Sequence, residues 1–90
     1  MSNPYKETFI SREQVIRVFD DKTPEEEFVW HRDREDRLII PMDINDWKFQ
    51  IDNSLPEDLD KPIFVKKETY HRLIKGSGVL RLRIYKRIEN

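Results

Sequence analysis

"DWKFQID", residues 46 to 52, alternates strictly between apolar Trp47, Phe49 and Ile51 and polar Lys48, Gln50 and Asp52. Successive side chains of an extended chain point to opposite faces, so the pattern predicts a strand with one face in a core and the other in water. A helix would put Phe49 on the wrong side of any stripe joining Trp47 to Ile51. The same period runs through "VLRLRIYKRI" at 79 to 88, where Leu80, Leu82 and Ile84 alternate with Arg81, Arg83 and Tyr85. "GSG" at 76 to 78 holds the only two glycines and joins "TYHRLIK" to this strand at hairpin spacing. The two flanking strands are therefore expected to be antiparallel neighbours.

Outward from these segments, "RLIIPM" and "PIFVK" read as short buried strands bounded by Pro41 and Pro62. In "SREQVIRVF", Ser11 and Gln14 have capping-box spacing, but Val15, Ile16, Val18 and Phe19 favour a strand over 14 to 19. Thr23, Pro24 and the glutamates at 25 to 27 predict a short helical turn near 24 to 27, with acidic groups set against the helix dipole. Six or seven short strands in 90 residues predict an all-β, mainly antiparallel fold, a small barrel or sandwich. The chain is read as one domain, 1 to 90, with its core over about 14 to 88 and a loosely ordered arm over 1 to 10.

Composition narrows the chemistry. With no cysteine, disulfide frameworks, thiolate metal sites and cysteine nucleophiles are excluded. No apolar run reaches the roughly 20 residues of a membrane-spanning helix, and "MSNPYKETF" has no apolar signal core, so the expected location is a cell's cytoplasm. The net charge of −1 hides a division: residues 1 to 60 carry 8 Lys and Arg against 16 Asp and Glu, residues 61 to 90 carry 9 against 2. In a β-rich chain this suggests acidic and basic strands paired across a sheet. The competing reading, single-strand nucleic-acid binding by Arg81, Arg83, Tyr85, Lys86 and Arg87, is weakened by the balanced total charge.

The two histidines stand in related settings, "VWHRD" at 29 to 33 and "TYHRL" at 69 to 73. If both are strands, Val29, His31 and Asp33 share one face, and Thr69, His71 and Leu73 another. Imidazole is the commonest protein metal ligand and a carboxylate two residues along a strand points the same way, so His31, Asp33 and His71 are candidate ligands with positions left open. The plainer reading is two hydrogen-bonded rim histidines. Likewise "RDREDR" at 32 to 37 is either a self-paired solvated loop or an arginine cluster for an anion.

"EEEFVWHRDREDR", "WKFQIDNSLPEDL" and "FVKKETYHRLIKGSGVLRLRI" together resemble a small cupin-like domain found in tailed bacteriophages, over about residues 25 to 85. The resemblance implies a cupin-like fold, an origin in phage and a place in the cytoplasm of the host cell. Against the metal-binding cupin pattern, His31 matches the first histidine and Asp33 stands at the second. Arg37 or Leu38 occupies the glutamate place. His71 matches the second motif's histidine, with Lys66 and Glu68 where Pro and Gly are usual, and Lys75 four places on.

The leading expectation is a non-catalytic accessory domain binding a small anion, such as a phosphorylated or nucleotide signal, or a protein partner. The expected binding set is His31, His71, Arg32, Arg34, Arg37 and Arg72, with Trp30, Tyr70 and Gln50 beside them, no cofactor and no assigned catalytic residue. The alternative is a metal-dependent isomerase or dioxygenase using Fe, Mn, Ni or Zn at His31, Asp33 and His71. The resemblance is compatible with a homodimer, and the sequence leaves the oligomeric state open.

Overall fold

A computed structural model describes residues 5–24 and 28–87. Within them the alternating segments form β1 (Tyr5–Ser11), β2 (Gln14–Asp20), β3 (Arg37–Pro41), β4 (Lys48–Ile51), β5 (Glu57–Asp58), β6 (Ile63–Val65), β7 (His71–Ile74) and β8 (Val79–Lys86). One sheet has the order β1-β2-β8-β3-β6 and the other β5-β4-β7, and every pairing is antiparallel. The result is a two-sheet sandwich. No helix among the described residues is long and apolar enough to cross a membrane.

The alternation in sequence sets which face is covered. Leu80, Leu82 and Ile84 of central β8 are buried beside Val15 and Phe19 of β2 and Ile39 of β3, and they meet Trp47, Phe49 and Leu59 from the second sheet's side. The two layers join through aromatic rings: Phe19 lies 6.2 Å from Trp47 and 6.0 Å from Phe28, and Phe28 meets Trp47 edge-on at 5.6 Å. Offset and edge-on pairs of this kind add stabilisation beyond the area they bury.

Four sequence expectations need comment. The "GSG" segment does not close a hairpin: β7 pairs with β4 in one sheet, and β8 with β2 and β3 in the other. The chain crosses between layers here because its backbone is claimed by neighbours. Asp46 accepts hydrogen bonds from Ser77 N and Ser77 Oγ at 2.7 Å each, and Trp47 Nε1 donates to Ser77 O at 3.2 Å. Those two bonds from Ser77 hold the Asp46 carboxyl below its ordinary range. Secondly, the arm expected over 1 to 10 is, from Tyr5 onward, the edge strand β1. Its register against β2 places Tyr5 opposite Phe19 and Glu7 opposite Arg17. Ser11, read as half of a capping box, instead accepts the Glu13 backbone N–H in the turn joining β1 to β2. Thirdly, the segment 29 to 33, considered as a strand, forms only one bridge, His31 opposite His71. The helical turn near 24 to 27 lies largely outside the described residues.

Gly76 is needed for close approach. A Cβ there would stand 2.7 Å from both Asp46 C and Trp47 N, backbone atoms that cannot swing aside. Gly76→Ala is expected to destabilise the domain by about 1–3 kcal/mol, the usual range for overpacking. A lowered urea midpoint with an unchanged slope is the expected readout.

Candidate functional site

The bridge between His31 and His71 is a hydrogen-bonded pair: His31 N donates to His71 O at 3.0 Å, and His71 N to His31 O at 2.9 Å. Residues opposed in this way project side chains to the same face. Both imidazoles therefore face the inside of the sandwich, with ring centroids 4.4 Å apart. His71 is buried and stacks on Phe49 at 5.4 Å, while His31 stands at the open rim. Between the sheets lies a cavity of about 350 Å³ lined by His31, Asp33, Arg37 and His71 on its polar side and by Phe19, Phe28, Phe49 and Leu82 on its apolar side.

Backbone partners fix the tautomer of each ring. His31 Nδ1 lies 3.0 Å from Val29 O and His71 Nδ1 2.8 Å from Thr69 O, each carbonyl two residues upstream. A carbonyl oxygen only accepts, so Nδ1 carries a hydrogen on both rings, and in the neutral ring Nε2 offers its lone pair. Metal-binding histidines commonly have this arrangement, the second nitrogen donating to a carbonyl and orienting the ring.

Asp33 completes the group. Its Oδ1 pairs with Arg37 Nη2 at 3.4 Å, while Oδ2 lies 3.2 Å from His71 Nε2. That is hydrogen-bonding distance, but buried Oδ2 makes no hydrogen bond of good geometry among the described residues, and in a neutral ring with the hydrogen on Nδ1 two lone pairs would face each other. A cation between the two atoms, a proton or a metal ion, resolves the conflict. Burial pushes the Asp33 carboxyl up, but His71, Arg37 and His31 together outweigh it and hold the group below the usual carboxylate range. Arg37 is itself anchored by Glu35 at 2.9 Å, so it orients Asp33.

His31, Asp33 and His71 thus form a group that could hold a metal ion, with one ligand atom from each lying within 4.8 Å of the others. An ion about 2 Å from each ligand requires separations nearer 3–4 Å. Closing that gap takes a rotation of the exposed His31 ring. Two histidines and one carboxylate around an ion would leave coordination positions open.

The remaining residues singled out from sequence fall elsewhere. With His31 and His71 inward, their neighbours project from the outer face of the three-stranded sheet. There Arg72 lies over the Trp30 ring at 4.8 Å and donates from Nε to Gln50 Oε1 at 3.0 Å. Arg32 lies 5.3 Å from the Tyr70 ring and 3.3 Å from Glu68. Arg34 is exposed and away from the cavity. Of the four arginines proposed, only Arg37 lines it, and strand parity explains the split. Two lining residues with polar groups were missed, Tyr5 and Arg17, the second of them paired with Glu7 behind it. Arg17 could have been found, because it falls between inward Val15 and Phe19 at period two.

Comparison with solved structures agrees with this fold. The chain is similar to a protein of Ralstonia eutropha JMP134 described as a candidate mannose-6-phosphate isomerase, with TM-score 0.66 and 10% identity over 93% of this chain and 83% of that one. It is also similar to a Neisseria meningitidis protein, with TM-score 0.60 and 11% identity over 92% and 82%. A cupin domain from Bordetella pertussis Tohama I matches with TM-score 0.62 and 14% identity over 98% and 99%. No protein-family model and no curated protein matches the sequence. At these identities the likeness defines the fold: the chain is a small, all-β, cupin-like sandwich.

Proposed function

We propose that the domain binds a divalent metal ion through His31, Asp33 and His71, and that the cavity beside this centre receives a small anion. The observation carrying this reading is the buried Asp33 Oδ2, which makes no hydrogen bond among the described residues and faces His71 Nε2 at 3.2 Å with His31 beside it. Desolvating an unpaired carboxylate oxygen costs about 1–3 kcal/mol or more, an expense a bound cation removes. The ion would supply positive charge and open positions at the cavity rim, and Arg37 holds the carboxylate toward it. Likeness to a candidate sugar-phosphate isomerase supports a small anionic ligand, and catalysis on that ligand is the alternative within this reading. The tailed-phage origin suggested by "VWHRD" and "TYHRLIKG" belongs to the proposal and rests on those motifs alone.

The test is metal analysis of untagged protein after dialysis against Mn²⁺ or Zn²⁺, beside His31→Ala. Near-stoichiometric metal in the parent and at least a ten-fold weaker Kd in the variant are expected. Equal, substoichiometric metal in both overturns the reading.

A further inference from the structure

Arg17 is the inward-facing charge that the metal centre does not use. On β2 it lies between Val15 and Phe19, two buried core residues, and its side chain is only 13% exposed. Two residues of β1 fix the guanidinium. Glu7 Oε2 takes its Nε at 2.6 Å, and the Tyr5 ring covers one face, 4.4 Å from Cζ. Burial pushes the Glu7 carboxyl up, but the hydrogen bond and charge of Arg17 overcome this and hold it low. Arg17 makes no further hydrogen bond among the described residues, and it lines the same cavity as the histidines. Its two Nη groups are thus spare donors on an ordered edge.

The geometry points to a carboxylate subsite at Arg17, separate from the metal ligands, so that the cavity takes a small carboxylic acid with a short apolar body. This inference rests on the metal reading above. With Nε occupied, the paired Nη groups offer two N–H donors, which match the two oxygens of one carboxylate. The body of the acid would lie over Phe19, Phe28 and Leu82, which line the cavity's apolar side.

Donor geometry favours a carboxylate over phosphate. The two oxygens of a carboxylate use both Nη groups, whereas the further oxygens of a phosphate dianion would lie against the apolar wall of Phe19, Phe28 and Leu82. Glu7 offsets the charge of Arg17, so the positive charge of a bound ion should strengthen binding of the acid.

The test titrates butyrate and inorganic phosphate calorimetrically into metal-free and Mn²⁺-loaded protein, with Mn²⁺ affinity read separately by electron paramagnetic resonance. Butyrate is expected to bind the loaded form at least ten-fold more tightly than phosphate and ten-fold more tightly than it binds the metal-free form. Arg17→Lys, which keeps a charge opposite Glu7 but loses the two-donor edge, should weaken butyrate binding at least ten-fold and shift the Mn²⁺ Kd less than two-fold. Arg34→Gln should change neither. Butyrate binding that is absent, indifferent to Arg17→Lys, or weaker than phosphate binding, with Mn²⁺ bound, overturns the carboxylate subsite alone. Failure of the parent to bind either Mn²⁺ or Zn²⁺ overturns the metal reading, and the spectrum and metal analysis report it independently.

Discussion

Asp33→Asn is expected to abolish metal binding and, in the same protein, to raise the stability of the metal-free domain. The substitution puts an amide N–H₂ where Oδ2 stands, 3.2 Å from His71 Nε2. Two facing acceptors become a donor and an acceptor, a gain of about 1 kcal/mol for a net hydrogen bond. The remaining amide oxygen still accepts from Arg37, whose charge stays paired with Glu35. Removing a ligand should cost the metal more than the 10–100-fold typical of disturbing a residue behind the ligands. Thermal melts at pH 8 in chelator, beside metal titrations, check both halves. A variant less stable than the parent in chelator would mean that Asp33 serves the fold, not an ion. Opposed signs are the mark of a site kept for function at the expense of stability.

The largest effect on folding is expected at Trp47, which is wholly buried and bonded through Nε1 to Ser77 O. Trp47→Ala removes the ring that Phe19 and Phe28 pack against and frees the crossover between the sheets. Losses of about 3–5 kcal/mol are usual for such truncations. Small domains have only about 5–15 kcal/mol in total, so the variant should be largely unfolded by 37 °C. Trp47→Phe keeps most of the packing but leaves the Ser77 carbonyl without its donor, and should lose only about 1–2 kcal/mol. Circular dichroism melts separate the two, with Trp30 remaining as a fluorescent reporter. If the Ala variant melts within a few degrees of the parent, the aromatic junction is not what joins the layers.

Period-two patterning made most of this architecture readable in the sequence. Trp47, Phe49, Leu80, Leu82 and Ile84 are each buried as their alternation requires. The patterning reports which face a residue takes, but not which strand lies beside it. "GSG" looked like a hairpin because glycine spacing is local information, whereas the contacts of Asp46 and Trp47 with 76 to 78 come from thirty residues away. The same limit applied to the site. The facing of His31, Asp33 and His71 was legible from parity, and so in principle was the outward facing of Arg32 and Arg72. The part played by Tyr5 and Glu7 was not, because β1 is almost wholly exposed and carries no apolar signature beyond Phe9 and Ile10. Only its register against β2 brings those residues to Arg17.

Residues 29 to 33 are tied to β7 by the single bridge between His31 and His71. A segment with so few ladder bonds is poorly guarded against sliding by one position, which would carry its imidazole to the solvent and its tryptophan inward. The guanidinium-on-ring stacks flanking the bridge outside, Arg72 on Trp30 and Arg32 on Tyr70, oppose that slip, since either is lost if the segment shifts. The outer surface thus serves as a ratchet for the inner one, and the paired Trp-His-Arg and Tyr-His-Arg triplets encode an alignment as well as a set of ligands.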